Sequence, residues 1–292
     1  MTNRFHNLPK RIKYKLRRIG RQLTGRDHPP APPPAPAPEP TKPEPTPFDL
    51  AAQGIAVTEN ERRLLALKNR HQGRRCFVIG NGPSLRQTNL DKLKDEITIG
   101  CNGIFLLFDE TAFRPTYYTV EDRLVAEDRA SIINTLDGMT KVLPIDLKHH
   151  LKPDDNTVYI NFLRQYPGFP KFTDTFESHV YFGGTVTYLN LQLARYLGCD
   201  EIYLVGVDHN YQKKAPTDKQ EGNVITSTVD DVNHFHPDYF GPGYRWHDPR
   251  VDRMEQAYLE ARRYAEANGF TIYNATIGGA LEVFPRVDFD SL

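Results

Sequence analysis

CFVIGNGPSL, residues 76–85, is the stretch whose reading decides the fold. Cys76-Phe77-Val78-Ile79 is a short, β-rich apolar run without polar alternation, the pattern of a strand buried on both faces of a parallel sheet. The run breaks at Gly80-Asn81-Gly82, and Pro83-Ser84 then opens a helix, where proline is tolerated because its missing N–H is an orphan in the first turn anyway. A strand, a glycine turn and a helix start let backbone N–H groups approach a phosphate, with the positive end of the helix dipole behind them. Gly80, Asn81, Gly82, Pro83 and Ser84 therefore form a candidate nucleotide-phosphate cradle. The same order also describes a plain βα turn that needs glycine only for its shape.

Working outward, the motif of an apolar strand closed by polar residues recurs along the chain. Residues 97–101 (ITIGC) end at Asn102-Gly103, residues 117–120 (YYTV) at Glu121-Asp122, and residues 202–207 (IYLVGV) at Asp208-His209-Asn210. Further strands are expected over 141–145, 158–162 and 271–274, the last ending in Asn274. Helices are predicted over 58–71, where Thr58 and Glu61 make a capping box, and over 85–93 and 123–136. Gly183-Gly184 opens another helix that stops at Gly198, and a long one over 250–268 closes at Gly269. Residues 149–179 read as a long loop over the sheet edge. Strands alternating with helices predict an α/β class: a Rossmann-like, mostly parallel sheet with flanking helices. Ligands of such sheets bind outside the carboxyl ends of the strands, so Asn81, Asn102, Glu121, Asp122, Asp208, His209 and Asn274 should share one rim.

This domain is expected over 48–292, behind a disordered basic and proline-rich N-terminal tail. Residues 1–28 carry Lys10, Arg11, Lys13, Lys15, Arg17, Arg18, Arg21 and Arg26, with Ile12, Leu16, Ile19 and Leu23 on one helical stripe. Such a segment either lies on an anionic membrane surface or stays a solvated tail. Residues 29–47, PPAPPPAPAPEPTKPEPTP, cannot form ladders and read as an extended linker. The formal net charge of the 292-residue chain is zero, which argues against nucleic acid as a partner. The three cysteines, Cys76, Cys101 and Cys199, have no metal-ligand spacing and read as reduced core residues. No apolar run approaches the roughly 20 residues of a membrane span, and no secretory leader is visible. The expected location is cytoplasmic, peripheral at the inner face of the membrane. GxxxxGK[ST], a clear GxGxxG with its acidic partner, and GxSxG are missing, which argues against P-loop kinases, dehydrogenases and serine hydrolases.

GNGPSL, the Cys101-Asn102 pair, Gly183-Gly184 before a helix, EIYLVGVD over 201–208, and His247 ahead of Asp252 and a long helix resemble bacterial lipooligosaccharide sialyltransferases. The same framework resembles the wider MptE-like family (domain of unknown function 115), whose archaeal namesake is a 6-hydroxymethylpterin pyrophosphokinase. GGTVTYLNLQLARYLGCDEIYLVGVDHNY and IYNATIGGALEVFPR look most like the bacterial MptE-like proteins. The resemblance covers roughly 75–101 and 183–285. It departs from the sialyltransferases at Gly183-Gly184, where they carry Ser or Thr before a single Gly, and in one residue inserted after Asp208.

The resemblance implies a transferase using a nucleotide-activated donor. One form is a glycosyltransferase of bacterial surface polysaccharide synthesis, needing no cofactor, that moves a sugar from a CMP-type nucleotide-sugar to a glycan. The Gly80–Ser84 turn and Asn102 would hold the nucleotide; Gly183, Gly184, Asp208 and Asn274 would shape the donor site; His247 would be the catalytic base, with no metal ligand. The other form is Mg-ATP-dependent pyrophosphoryl transfer to a small-molecule acceptor, with Mg²⁺ on Glu121, Asp122 or Asp208. A non-catalytic nucleotide-binding scaffold is the third class. The histidines 209, 234, 236 and 247 with Asp208 are also a candidate metal cluster.

Overall fold

Five strands run in sequence across one side of a sheet, beginning with the strand of the Gly-rich turn. They are β1 (Arg75–Ile79), β2 (Ile97–Cys101), β3 (Tyr117–Thr119), β4 (Thr140–Pro144) and β5 (Thr157–Ile160). The chain then forms the short pair β6 (Phe162–Leu163) and β7 (Val180–Tyr181), returns through β8 (Glu201–Val205), builds a separate small sheet from β9 (Lys219–Glu221), β10 (Val224–Thr226) and β11 (Arg245–His247), and ends with β12 (Thr271–Asn274). The main sheet is seven-stranded in the order β12-β8-β1-β2-β3-β4-β5, with every pairing parallel. The computed structural model describes residues 44–292. The readings made for 1–28 and for most of 29–47 lie outside the described residues.

The side-chain alternation of period two splits the core into two layers. Cys76, Val78, Ile99, Val142, Val158 and Leu204 face one side; Phe77, Ile79, Tyr118, Leu143, Tyr159 and Val205 face the other. The first layer is covered by α1 (Pro47–Ala51), α2 (Glu59–Leu67), α4 (Val186–Tyr196) and α5 (Val251–Asn268), the second by α3 (Arg123–Ile133) and 3₁₀ turns. Ten of the eleven residues of α4 are buried, Arg195 being the exception, which marks it as the central helix. Because β2 to β5 extend to one side of β1 while β8 and β12 add on the other, the order reverses between β1 and β8. That reversal opens a crevice at the carboxyl ends.

The α/β class, the parallel sheet and the strand positions agree with the sequence reading. So does the capping box: Thr58 N–H donates to Glu61 Oε2 at 2.7 Å, and Thr58 Oγ1 accepts from Asn60 N–H at 3.2 Å. The helix expected over 85–93 is corrected to two 3₁₀ turns, Pro83–Gln87 and Leu90–Leu93. Side chains at the break compete for the backbone: Thr88 Oγ1 donates to Ser84 O at 3.2 Å, and Asn89 Oδ1 accepts from Asp91 N–H at 3.1 Å. Among the described residues no helix is long and apolar enough to cross a membrane.

Candidate functional site

A cleft of about 910 Å³ opens at the carboxyl ends of β1, β2, β3 and β8 and is roofed by the stretch between β8 and α5. Gly80, Asn81, Gly82, Asn102, Gly184, Asp208 and His247 line it, as expected on one rim. Pro83, Ser84, Gly183 and Asn274 are not among its walls. Gly183 lies against the Tyr188 ring. Asn274 is 1% exposed and closes its own turn, with Nδ2 donating to Leu281 O at 2.8 Å and Oδ1 accepting from Thr276 N–H at 3.0 Å. Its contacts stay within that turn, and it does not reach the cleft.

The amides expected to cradle a phosphate are engaged inside the protein. Gly80 N–H donates to Val205 O and Gly82 N–H to Gly206 O, both at 2.8 Å. Ser84 donates its N–H to Asp208 Oδ1 at 3.1 Å and its hydroxyl to Asp208 Oδ2 at 2.7 Å. The Asp208 carboxylate thus sits where an external anion was expected. A Cβ on Gly82 would come within 1.9 Å of Asp208 Oδ2, so glycine is required there by the close approach.

The floor holds buried oxygens that lack partners. Asn81 is 7% exposed; its Nδ2 donates to Cys101 O at 3.1 Å, which fixes the amide's orientation and leaves Oδ1 unsatisfied. Asn102, in the left-handed region at φ 47°, likewise has an unpartnered Oδ1, and Glu121 an unpartnered Oε2. Asn81, Asn102 and Glu121 follow the neighbouring strands β1, β2 and β3, so the three residues lie side by side at the carboxyl edge of the sheet. Burial pushes the Glu121 carboxyl up to about 8, Arg164 opposing and Asp122 reinforcing. A group whose folded pKa is raised binds protons that the unfolded chain has released, so stability should fall as pH climbs from about 4.5 to about 8. Glu121→Gln is expected to flatten that decline in urea melts at pH 5, 6.5 and 8; an unchanged slope would show that another group causes it.

Buried polar atoms without partners are uncommon in native proteins and ask for an explanation such as a ligand. His209 adds one on the β8 side, at φ 53° with its Nε2 buried and unpartnered.

His247 ends β11. The long helix α5 begins only at Val251, four residues further on. The neighbour of His247 is Asp122, whose Oδ2 lies 2.9 Å from His247 Nδ1, and this hydrogen bond raises the imidazole's pKa. Asp122 Oδ1 accepts from Leu124 N–H at 2.7 Å and caps α3. The sequence reading placed Asp122 on the rim and named it as a metal ligand, not as the partner of His247. The signal for its other roles was its position between a strand end and a helix start.

The small sheet β9–β11 and the loop before β11 form the roof, a region without strong periodicity in sequence. Arg245 ties it to α3 through Asp128 and Glu127, whose carboxylates hold the guanidinium's pKa well up. Arg129, 7% exposed, donates to Tyr239 O at 3.1 Å and lies 3.5 Å from the Tyr244 ring centroid. Arg245→Ala is expected to speed limited proteolysis within 212–244 while the sheet stays protected; unchanged cleavage would mean the roof is held elsewhere.

The candidate histidine metal cluster does not assemble. His236 Nδ1 accepts from Asp238 N–H at 3.1 Å, and His234 and His247 each pair with a different aspartate. Among the described residues no group of three or more His, Cys, Asp or Glu side chains is placed to hold a metal ion.

The family described as 6-hydroxymethylpterin diphosphokinase MptE-like matches residues 55–214. The chain belongs to the MptE-like family. In this MptE-like chain the matched region carries the sheet edge with Asn81, Asn102, Glu121 and Asp208, and stops before His247 and α5. No curated protein matches the chain. Among solved structures it is similar to a mammalian sialyltransferase in complex with Gal-beta-1-3GalNAc-ortho-nitrophenol, at 12% identity over 94% of this chain and 88% of that one, with a TM-score of 0.35. A second crystal structure of a mammalian sialyltransferase is similar at 14% identity over 82% of each chain, with a TM-score of 0.32.

Proposed function

We propose that this MptE-like chain is a transferase that uses a nucleotide-activated donor, in the manner of a sialyltransferase-like glycosyltransferase of bacterial surface polysaccharide synthesis. The observation that carries the reading is the His247–Asp122 pair on the wall of the cleft. A carboxylate on Nδ1 fixes that nitrogen as the donor and leaves Nε2 to take a proton from an acceptor hydroxyl. His247 is 41% exposed in its side chain, as suits a base that meets an acceptor arriving from solvent. The orphan oxygens of Asn81 and Asn102 call for donors, which the hydroxyls and amines of a nucleoside or sugar supply and a phosphate does not. Phosphate is assigned instead to Arg123, Lys213, Lys214 and Arg253, which line the cleft and make no ion pair among the described residues. The donor is a nucleotide-sugar of the CMP type, and the acceptor a glycan.

The family's description favours a second reading, pyrophosphoryl transfer from ATP. The carboxylates proposed for its Mg²⁺ fit that ion poorly. Both Asp208 oxygens are bonded to Ser84, Asp122 is shared between His247 and the α3 cap, and Glu121 is held protonated by burial. The test is a thermal-shift panel of CMP, CDP, UDP, GDP and ATP, each with and without Mg²⁺. Saturation at about 100 times Kd contributes about 2.7 kcal/mol of stability, enough to rank ligands. Metal-free stabilisation by CMP or another pyrimidine or guanine nucleotide supports the glycosyltransferase. A response to ATP only with Mg²⁺ replaces it by the pyrophosphokinase, and silence throughout removes both enzyme readings.

A further inference from the structure

The roof carries a second imidazole–carboxylate pair. His234 Nδ1 lies 2.7 Å from Asp231 Oδ2. The Asp231 side chain is only 5% exposed and also accepts from Asn233 N–H at 2.7 Å and Phe240 N–H at 3.0 Å. Burial works against ionisation, but the His234 bond and the two amides outweigh it and hold the Asp231 carboxyl below the usual range. An ionised carboxylate only accepts, so His234 Nδ1 must carry the proton. The ring is locked as well, stacked on Tyr239 with centroids 3.9 Å apart and planes 7° from parallel. Nε2 has no hydrogen bond from the described residues, and His234 lines the cleft.

The loop is docked over the inner rim. Phe235 N–H donates to Asn81 O at 2.9 Å, and the Tyr239 ring covers Gly103 beside Asn102. His234 therefore sits over the ends of β1 and β2, where its side chain is 17% exposed against 41% for His247. The outer dyad meets the incoming acceptor; the inner one stands over the half assigned to the nucleotide.

We propose that His234 is a second catalytic residue, donating its Nε2 proton to the phosphate oxygen that leaves the donor. The inference rests on the transferase reading above. In the imidazolium form both ring nitrogens donate, Nδ1 to Asp231 and Nε2 into the cleft. As the bond between the sugar carbon and the phosphate oxygen breaks, that oxygen keeps the electron pair and takes the Nε2 proton. The acceptor oxygen bonds the sugar carbon and gives its proton to His247. One proton is donated and one is gained, Asp231 and Asp122 keep their charges, and exchange with water resets both rings.

The experiment compares wild type, His234→Gln and Asp231→Asn, with CMP, UDP and GDP and their sugar conjugates as probes. For the conjugate that wild type turns over, both variants are expected to keep nucleotide affinity within about threefold and to lose roughly 10²-fold in turnover. The loss should shrink with a phosphorothioate donor, whose leaving group is a weaker base and needs the proton less. In ¹⁵N spectra of the histidine rings, the His234 Nε2 signal, identified by its disappearance in His234→Gln, should move when nucleotide is added. Wild-type turnover in a folded His234→Gln protein overturns the proposal, as does a proportional loss of affinity and turnover in both variants. If no nucleotide stabilises wild type, the transferase reading fails and this inference with it. If nucleotide binds and only the His234 readouts stay silent, this inference alone fails.

Discussion

His247→Ala is expected to lower turnover by roughly 10²-fold or more while nucleotide affinity stays nearly intact, because a positioned base acts on the acceptor's proton and not on the bound nucleotide. The melting temperature should move little, since the His247 side chain is 41% exposed and contacts with an exposed ion pair contribute little. A histidine with a structural task would behave otherwise, lowering stability, affinity and turnover together. Full activity in the folded variant would remove the base and most of the case for a glycosyl transfer of this kind.

The partner of His247 sets the pH dependence. The Asp122 hydrogen bond raises the imidazole above its ordinary 6.5. A raised pKa means that the pair's stabilisation is fully present below about 6.5 and fades as pH rises through the higher folded value. Turnover runs the opposite way, because the base works only when neutral, so the rate should rise with pH through that same raised value. Asp122→Asn keeps a residue that caps α3 well but removes the charge. Its acidic limb should move to lower pH, with a lower plateau because an amide can hold the ring in either tautomer. A limb that stays in place in the variant would assign the titration to another group.

The sheet was legible because its strands are uniform apolar runs ending in polar residues, and because Thr58, Gly198 and Gly269 punctuate the helices. The turns between β1 and β2 were not, since Thr88 and Asn89 bond the backbone locally and no periodicity announces that competition. Asn81 and Asn102 line the cleft as the rule that ligands bind at strand ends predicts, and His247, named from the family resemblance, lines it too. Asn274 satisfied the same rule and yet points into its own turn, a distinction made by contacts with Leu281 and Thr276 that sequence does not display. The His234–Asp231 and His247–Asp122 pairs differ in the same way. The first is three residues apart and local; the second joins residues 125 apart through the fold.

The Gly-rich turn itself supports the second large effect. Gly82→Ala places a Cβ 1.9 Å from Asp208 Oδ2 and 2.6 Å from its Cγ, so the carboxylate must leave Ser84. Hydrogen bonds to charged groups contribute about 1.5–3 kcal/mol each, and Ser84 loses two, so a destabilisation of about 3–6 kcal/mol is expected. Asp208→Gly removes the carboxylate directly and should cost a similar amount, with about 1 kcal/mol more for added chain entropy. In the double variant the three side-chain atoms nearest the new methyl group are gone. The clash is gone and the Ser84 bonds are already lost, while the entropy cost cancels around the cycle. The two changes should therefore be strongly non-additive, with a coupling of about 3–6 kcal/mol, the shared loss of the Ser84 bonds, in urea melts. Additivity within about 0.5 kcal/mol would mean that Asp208 can leave Ser84 at no cost. The Ser84 N–H would then be open to an outside anion, while the Gly80 and Gly82 amides stay bonded to the Val205 and Gly206 carbonyls.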